Sequence, residues 1–154
     1  MKVIKTILPL LLIALLAASC EKKPKNGDLD GMWQLKQMFS KSTSTDATYS
    51  ASYKDTTNDS IYWNCQLDLI SIQTWNGKTS QSVARFVHEN DRLQLTKIYI
   101  HYRANDVLIE DPNFTGLRHA GIRGNQANYF VKRLNSSSMI LCSEMDSLVF
   151  RKIH

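Results

Sequence analysis

Four histidines, three cysteines and a scatter of carboxylates are the residues that could do chemistry in this chain, and their spacing argues against most of it. His88, His101, His119 and His154 are dispersed, with no H-x-H or H-E-x-x-H arrangement to grip a metal ion. Serines are abundant, but no G-x-S-x-G elbow presents one as a nucleophile, and they gather in stretches where hydroxyls serve turns. Asp106, Glu110 and Asp111 stand close together, and paired carboxylates can share acid–base work. Caps and loop solubility explain the same three residues. Gly116, Gly121 and Gly124 follow no phosphate-cradling spacing. Cys65 and Cys142 leave two readings open: one disulfide in an oxidising compartment, or two separate buried thiols behaving as small hydrophobes. No C-x-x-C is present, which excludes a thioredoxin-type redox site. The pattern predicts no catalytic residue, no metal site and no cofactor, and so a protein that is not an enzyme.

The aromatic residues are the informative group. Trp33, Tyr62, Trp63, Trp75, Phe86, Tyr99, Tyr102, Tyr129, Phe130 and Phe150 fall mostly in stretches with the two-residue alternation of strands. Core packing accounts for most of them. A small β-barrel whose interior is not filled by side chains can also hold one small ligand, entering at its mouth. On that reading Trp63, Phe86, Tyr99 and Tyr129 are the candidate ligand contacts.

The elements that would position these residues read as strands throughout. Gly31–Phe39 alternates from Trp33 and Leu35 onward. Ser40 to Ser60 is rich in Ser, Thr, Asp and Tyr, has no sustained period and reads as one long loop, placed to lie over the open end. Ile61–Gln73 reads as a single long strand whose inward set switches after Leu69, the mark of a β-bulge. Asn76-Gly77 is a strong hairpin turn, Ser82–His88 the returning strand, and Glu89-Asn90-Asp91 the next turn. Leu93, Leu95, Ile98, Ile100 and Tyr102 make another strand with a register change midway. Val107–Ile109 is a short strand. Asp111-Pro112 is a helix-start signal and Gly121 a stop, predicting a helical turn near 112–120. Ala127–Leu134, Met139–Cys142 and Leu148–Ile153 close the chain as a meander. Seven or eight strands at hairpin spacing predict an all-β domain, and a single antiparallel meander favours an up-and-down barrel that leaves no open edge.

Domain organisation follows from the first residues. Lys2 and Lys5 precede the apolar run Ile7–Leu16, which is about half the roughly 20 residues a bilayer-spanning helix needs. Ala17-Ala18-Ser19 follow, and then Cys20. Residues 1–19 therefore read as a signal peptide. Glu21 to Gly27 is polar, carries Pro and Gly, and reads with Cys20 as a tether over 20–27, leaving 28–154 as one domain. Loss of Lys2 and Lys5 lowers the formal charge from +5 by two. The remaining cations are scattered rather than striped, which argues against nucleic acid as a partner.

Two resemblances sharpen these expectations. Ala17-Ala18-Ser19-Cys20 behind an apolar run resembles the lipobox of bacterial lipoproteins, with Ala17 where the lipobox favours Leu. That resemblance implies lipid on the Cys20 thiol, cleavage before Cys20 and a lipid-anchored domain in the cell envelope, with the outer membrane as its expected address. The tether has no acidic cluster of the kind that directs some lipoproteins to the surface, which favours a periplasm-facing domain. Gly31-Met32-Trp33 resembles the G-x-W that opens lipocalins, and the tail from Tyr129 to Lys152 is similar to the last three strands of small lipocalin-like bacterial lipoproteins. That resemblance implies a lipocalin-like barrel of about eight strands, with Trp33 plugging the closed end against an Arg from the last strand. Arg151 is the candidate, although strict alternation with Leu148 and Phe150 inward turns it outward. The strand meander, the G-x-W and the long Ser40–Ser60 loop together predict a module that binds a small apolar ligand or an envelope protein; the alternative is an interaction or inhibitor module that acts through its loops around a filled core.

Overall fold

The computed structural model describes residues 25–41, 51–75 and 79–153. The expected signal peptide, Cys20, the Asn76-Gly77 turn and His154 lie outside the described residues. Among the described residues ten strands follow one another: β1 (Gly31–Lys41), β2 (Ala51–Asp55), β3 (Ile61–Gln66), β4 (Leu69–Trp75), β5 (Thr79–Glu89), β6 (Arg92–His101), β7 (Asp106–Leu108), β8 (Ala127–Leu134), β9 (Ser138–Cys142) and β10 (Asp146–Ile153). Spatial order is β10-β9-β8-β6-β5-β4-β3-β1, and β10 pairs with β1 to close the ring. β2 continues outward from β1, and β7 pairs with β6 off the ring. The expected antiparallel up-and-down barrel is thus present.

Alternation explains the wall. Ile61, Trp63 and Cys65 of β3 are buried while Tyr62 and Asn64 between them are only half-buried. In β10 the buried set is Asp146, Leu148 and Phe150. The register change expected in the Leu93–Tyr102 stretch is a bulge: Phe86 pairs with Leu95 but Arg85 with Lys97, so Thr96 is the extra residue. The inward set passes from Leu93 and Leu95 to Ile98 and Ile100. A second bulge at Lys36 in β1 is fastened by Thr56, whose N–H donates to the Lys36 carbonyl at 2.9 Å and whose hydroxyl donates to the Leu35 carbonyl at 3.0 Å.

Three expectations are corrected. Ile61–Gln73 is a hairpin, not one bulged strand: Gln66 pairs with Leu69 across a two-residue turn in which Leu67 has φ +58°. Leucine is not a turn former, because its Cβ disfavours that region, so the reversal leaves no sequence signal. Ser40–Ser60 is not one loop. β1 runs on to Lys41, and β2 pairs with its outer half, Phe39 opposite Tyr53. Ser52, Tyr53, Lys54 and Asp55 are all exposed, so β2 has no apolar face to announce it. Asp111-Pro112 starts a turn rather than a helix. The Asp111 side chain accepts from the Asn113 N–H at 2.8 Å, and the helical turn waits until Arg118–Ala120. Gly121 ends it with φ +84°, as expected of a left-handed stop.

The barrel is sealed differently at its two ends. At one end a 3₁₀ turn, Gly27–Leu29, leads into β1. Trp33 lies beneath it, fully buried, its Nε1 donating to the Leu29 carbonyl at 2.8 Å. The Lys152 ammonium sits 5.0 Å from the Trp33 ring centre and donates to the Asp28 carbonyl at 2.7 Å. Gly31 takes φ +119° there, and a Cβ on it would stand 2.8 Å from the Lys152 Cε, so both glycine and tryptophan of the G-x-W are required by this closure. At the other end the chain between β7 and β8 crosses the opening and buries Ile109, Leu117, Ala120 and Ile122 in the core. Between the two seals, Trp63 lies 5.9 Å from Tyr129 and 5.1 Å from Phe150, ring centre to ring centre. All three are fully buried, and the Trp63 N–H is buried without a hydrogen-bond partner among the described residues.

Candidate binding surface

The residues expected to greet a ligand are mostly inside the packed core. Trp63 and Tyr129 belong to the aromatic cluster and Phe86 is buried in the same core. Tyr99 falls between the inward Ile98 and Ile100 and so faces outward, opposite Leu108 of β7. The structure does not bring these four together around a site. Nor does it join Cys65 to Cys142: both are free thiols. β3 and β9 are separated in the ring by β1 and β10, about three strand spacings of 4.8 Å. Cys65 faces inward, whereas Cys142 is half-buried on the outer side of β9, out of step with the buried Met139 and Leu141. The cation over Trp33 is Lys152 and not Arg151, which is exposed and pairs with Gln34. Alternation accounts for this, since Lys152 shares the face of Leu148 and Phe150.

Two grooves lie outside the wall, on either side of the turn between β9 and β10. The larger, about 580 Å³, runs over β8 and is lined by Arg92, Arg123, Asn128, Phe130, Cys142 and Glu144 among others. The smaller, about 320 Å³, is lined by Phe39, Lys41, Met145 and Ser147, and shares Cys142, Ser143, Met145 and Asp146 with the larger. Exposed aromatic side chains flank both. Phe130 stands opposite Arg92, and Phe39 packs on Tyr53 with ring centres 5.0 Å apart.

One carboxylate organises this rim. Asp146, buried at the start of β10, accepts from Arg123 at Nε (2.5 Å) and Nη2 (2.8 Å) and from the Ser40 hydroxyl at 2.6 Å. Burial alone pushes its pKa up. The hydrogen bonds from Arg123 and Ser40, with the charges of Arg123 and Arg118, outweigh that and hold it below the ordinary value. Tyr129 donates its hydroxyl to the Gly121 carbonyl at 2.8 Å, and burial raises its pKa far above a free phenol. On the far side of the crossing segment, His119 Nε2 meets the buried Thr74 hydroxyl at 3.1 Å. Desolvation lowers the His119 pKa and keeps the ring neutral near pH 7. Arg123 and Asp146 are 23 residues apart, and no local pattern foretells their pairing. Among the described residues no group of three or more His, Cys, Asp or Glu converges to hold a metal ion.

Comparison with known proteins bears on the fold. A family model described as a lipocalin-like domain matches residues 14–153. A lipocalin-like protein from Bacteroides uniformis superimposes with a TM-score of 0.53 at 20% identity, covering 82% of this chain and 100% of that one. An uncharacterized protein from Bacteroides eggerthii gives a TM-score of 0.50 at 18% identity, covering 80% and 98%. No curated protein matches the chain.

Proposed function

The chain belongs to the lipocalin-like domain family, and from that premise we propose that it is an exported, non-enzymatic binding module, anchored to the envelope membrane through lipid on Cys20, that engages a partner protein through the grooved rim beside the β9–β10 turn. The observation that carries this reading is where the aromatic side chains lie. Trp63 and Tyr129 occupy the interior that a ligand would need, and Leu117, Ala120 and Ile122 stop its mouth. Apolar contact surface is instead displayed outside, at Phe39, Tyr53 and Phe130. Arg123 and Lys41 supply polar contacts along the same rim, and Arg92 supplies one farther along the larger groove. A second reading, a small apolar ligand, is favoured by one feature: the groove of about 320 Å³ between Phe39 and Met145 is within the size range of small-molecule sites.

A photo-crosslinking residue at Phe130, at Phe39 and, as control, at Tyr102 on the β6–β7 side tests the proposal in the host envelope. One discrete crosslinked protein at Phe130 and Phe39, absent at Tyr102, supports it. No crosslink, with a small molecule retained in native mass spectrometry, overturns it in favour of the second reading. Anchoring is read separately: Cys20→Ala must abolish labelling by a fatty-acid probe.

A further inference from the structure

The rim at the Trp33 end carries an apolar crescent that the groove-based function does not use. β10, β1, β3, β4 and β5 stand side by side in the ring. At this rim they present Ile153, Met32, Leu67, Leu69 and Val87 outward, and all but the half-buried Met32 are exposed, Leu67 by 58%. Register sets Met32 directly against Ile153, while its partner on β3 is Asn64 and the partners of Leu69 are Gln66 and Arg85, so the crescent is a set of apolar points spaced by polar ones. Leu67 is the sharpest element. It occupies the left-handed region that glycine or asparagine would take without strain, and it sends its side chain to solvent.

The chain enters the barrel at this same rim. The Asn26 side chain donates to the Leu67 carbonyl at 2.8 Å and to the Asp30 carboxylate at 2.6 Å, which ties the first described turn to the β3–β4 tip. From Cys20 to Lys25 is five peptide steps, a reach of at most about 18 Å. Resting on the reading of Cys20 as lipid-bearing, we propose that this crescent docks on the bilayer leaflet that holds the Cys20 acyl chains, with Leu67 and Leu69 entering the boundary between headgroups and acyl chains. Charge supports the choice of tip. Asp68, beside Leu67, is neutralised by Arg85 at 2.6 Å. The other tips at this end are acidic (Glu89-Asn90-Asp91) or polar (Asn135–Ser137), so the barrel leans on its β3–β4 side. The Phe39–Met145 groove, at the opposite rim, then faces away from the membrane.

The test uses the mature acylated chain in vesicles of phosphatidylethanolamine and phosphatidylglycerol with brominated acyl chains. A Leu67→Trp variant is compared with Ser136→Trp, both against the parent's own tryptophan signal. Docking predicts at least about threefold more quenching of the added fluorescence at position 67 than at 136. Equal quenching, with acyl chains on Cys20 confirmed by intact mass, overturns the docking and leaves the anchor standing. A bare Cys20 thiol in the mass spectrum with no quenching overturns both. A bare thiol with position 67 still quenched overturns the anchor alone and supports docking.

Discussion

The two ends of the barrel are closed by different physics. The Trp33 end is closed by neighbours in sequence and in register: a 3₁₀ turn four residues before the tryptophan, and a lysine from the strand that pairs with it. Its contacts are apolar burial, one N–H bond to a carbonyl, and a cation over an indole. The opposite end is closed by a segment that crosses the ring and is pinned at its flanks by groups that titrate, Asp146 under Arg123 and His119 on Thr74. One closure is local. The other is long-range and conditional. Both grooves reach the β9–β10 turn at the conditional end, so whatever binds there meets the part of the molecule most easily loosened.

Trp33→Ala should break the comparison most severely. It removes a fully buried indole and its hydrogen bond, and is expected to cost about 3–5 kcal/mol in chemical denaturation. Asp146→Ala should cost less, about 2 kcal/mol, because Arg123 is partly exposed and can turn to water. If Asp146→Ala proves the costlier, the two closures are not distinguished by burial. Acid sharpens the contrast without mutation. His119 and Asp146 both have pKa values lowered by folding, so their stabilisation is complete above the ordinary values of 6.5 and 3.8 and lost as pH falls through the depressed ones. Hydrogen exchange corrected for intrinsic rate should therefore speed up at residues 117–123 as pH falls from neutral towards 3, while residues 29–33 stay protected. Equal acceleration at both ends would erase the difference. Thiol labelling gives a finer test. Burial pushes Cys65, near the Trp33 end, up to about 12, so alkylation at pH 8 should modify Cys142 in the native protein and Cys65 only on unfolding. The smallest effect is expected at the tip of β3 and β4. Leu67→Gly relieves the left-handed leucine and should raise stability by up to about 1 kcal/mol, offset in part by the freer unfolded chain.

The same contrast marks how far the sequence could be read. Elements whose apolar residues alternate were legible, β6 with its bulge and the β8–β10 meander, because period carries its own physical meaning; the role of Trp33 came from resemblance, and its cation proved to be Lys152 rather than Arg151. The Asn90 turn was legible, since asparagine tolerates its φ of +53°. The Leu67 turn was not, since nothing about leucine announces one. β2 was silent because its side chains face water. At the crossing end the decisive contacts, Asp146 with Arg123, Thr74 with His119 and Tyr129 with Gly121, join residues far apart or placed by irregular backbone. Alternation assigns a face to a strand residue but says nothing of which loop will lie over it. For that reason Trp63 and Tyr129 could be read as strand aromatics, while whether they met a ligand or each other waited on the segment that seals them in.

The pairing of β1 with β10 carries one more consequence. Among the described residues the first strand is zipped to the last, so the cylinder has no finished form until β10 is in place. Until then the early strand waits with a raw hydrogen-bonding border, as does β9. A polypeptide lacking β10 would be no slightly weakened barrel but an open sheet with two sticky margins, prone to find them in its neighbours.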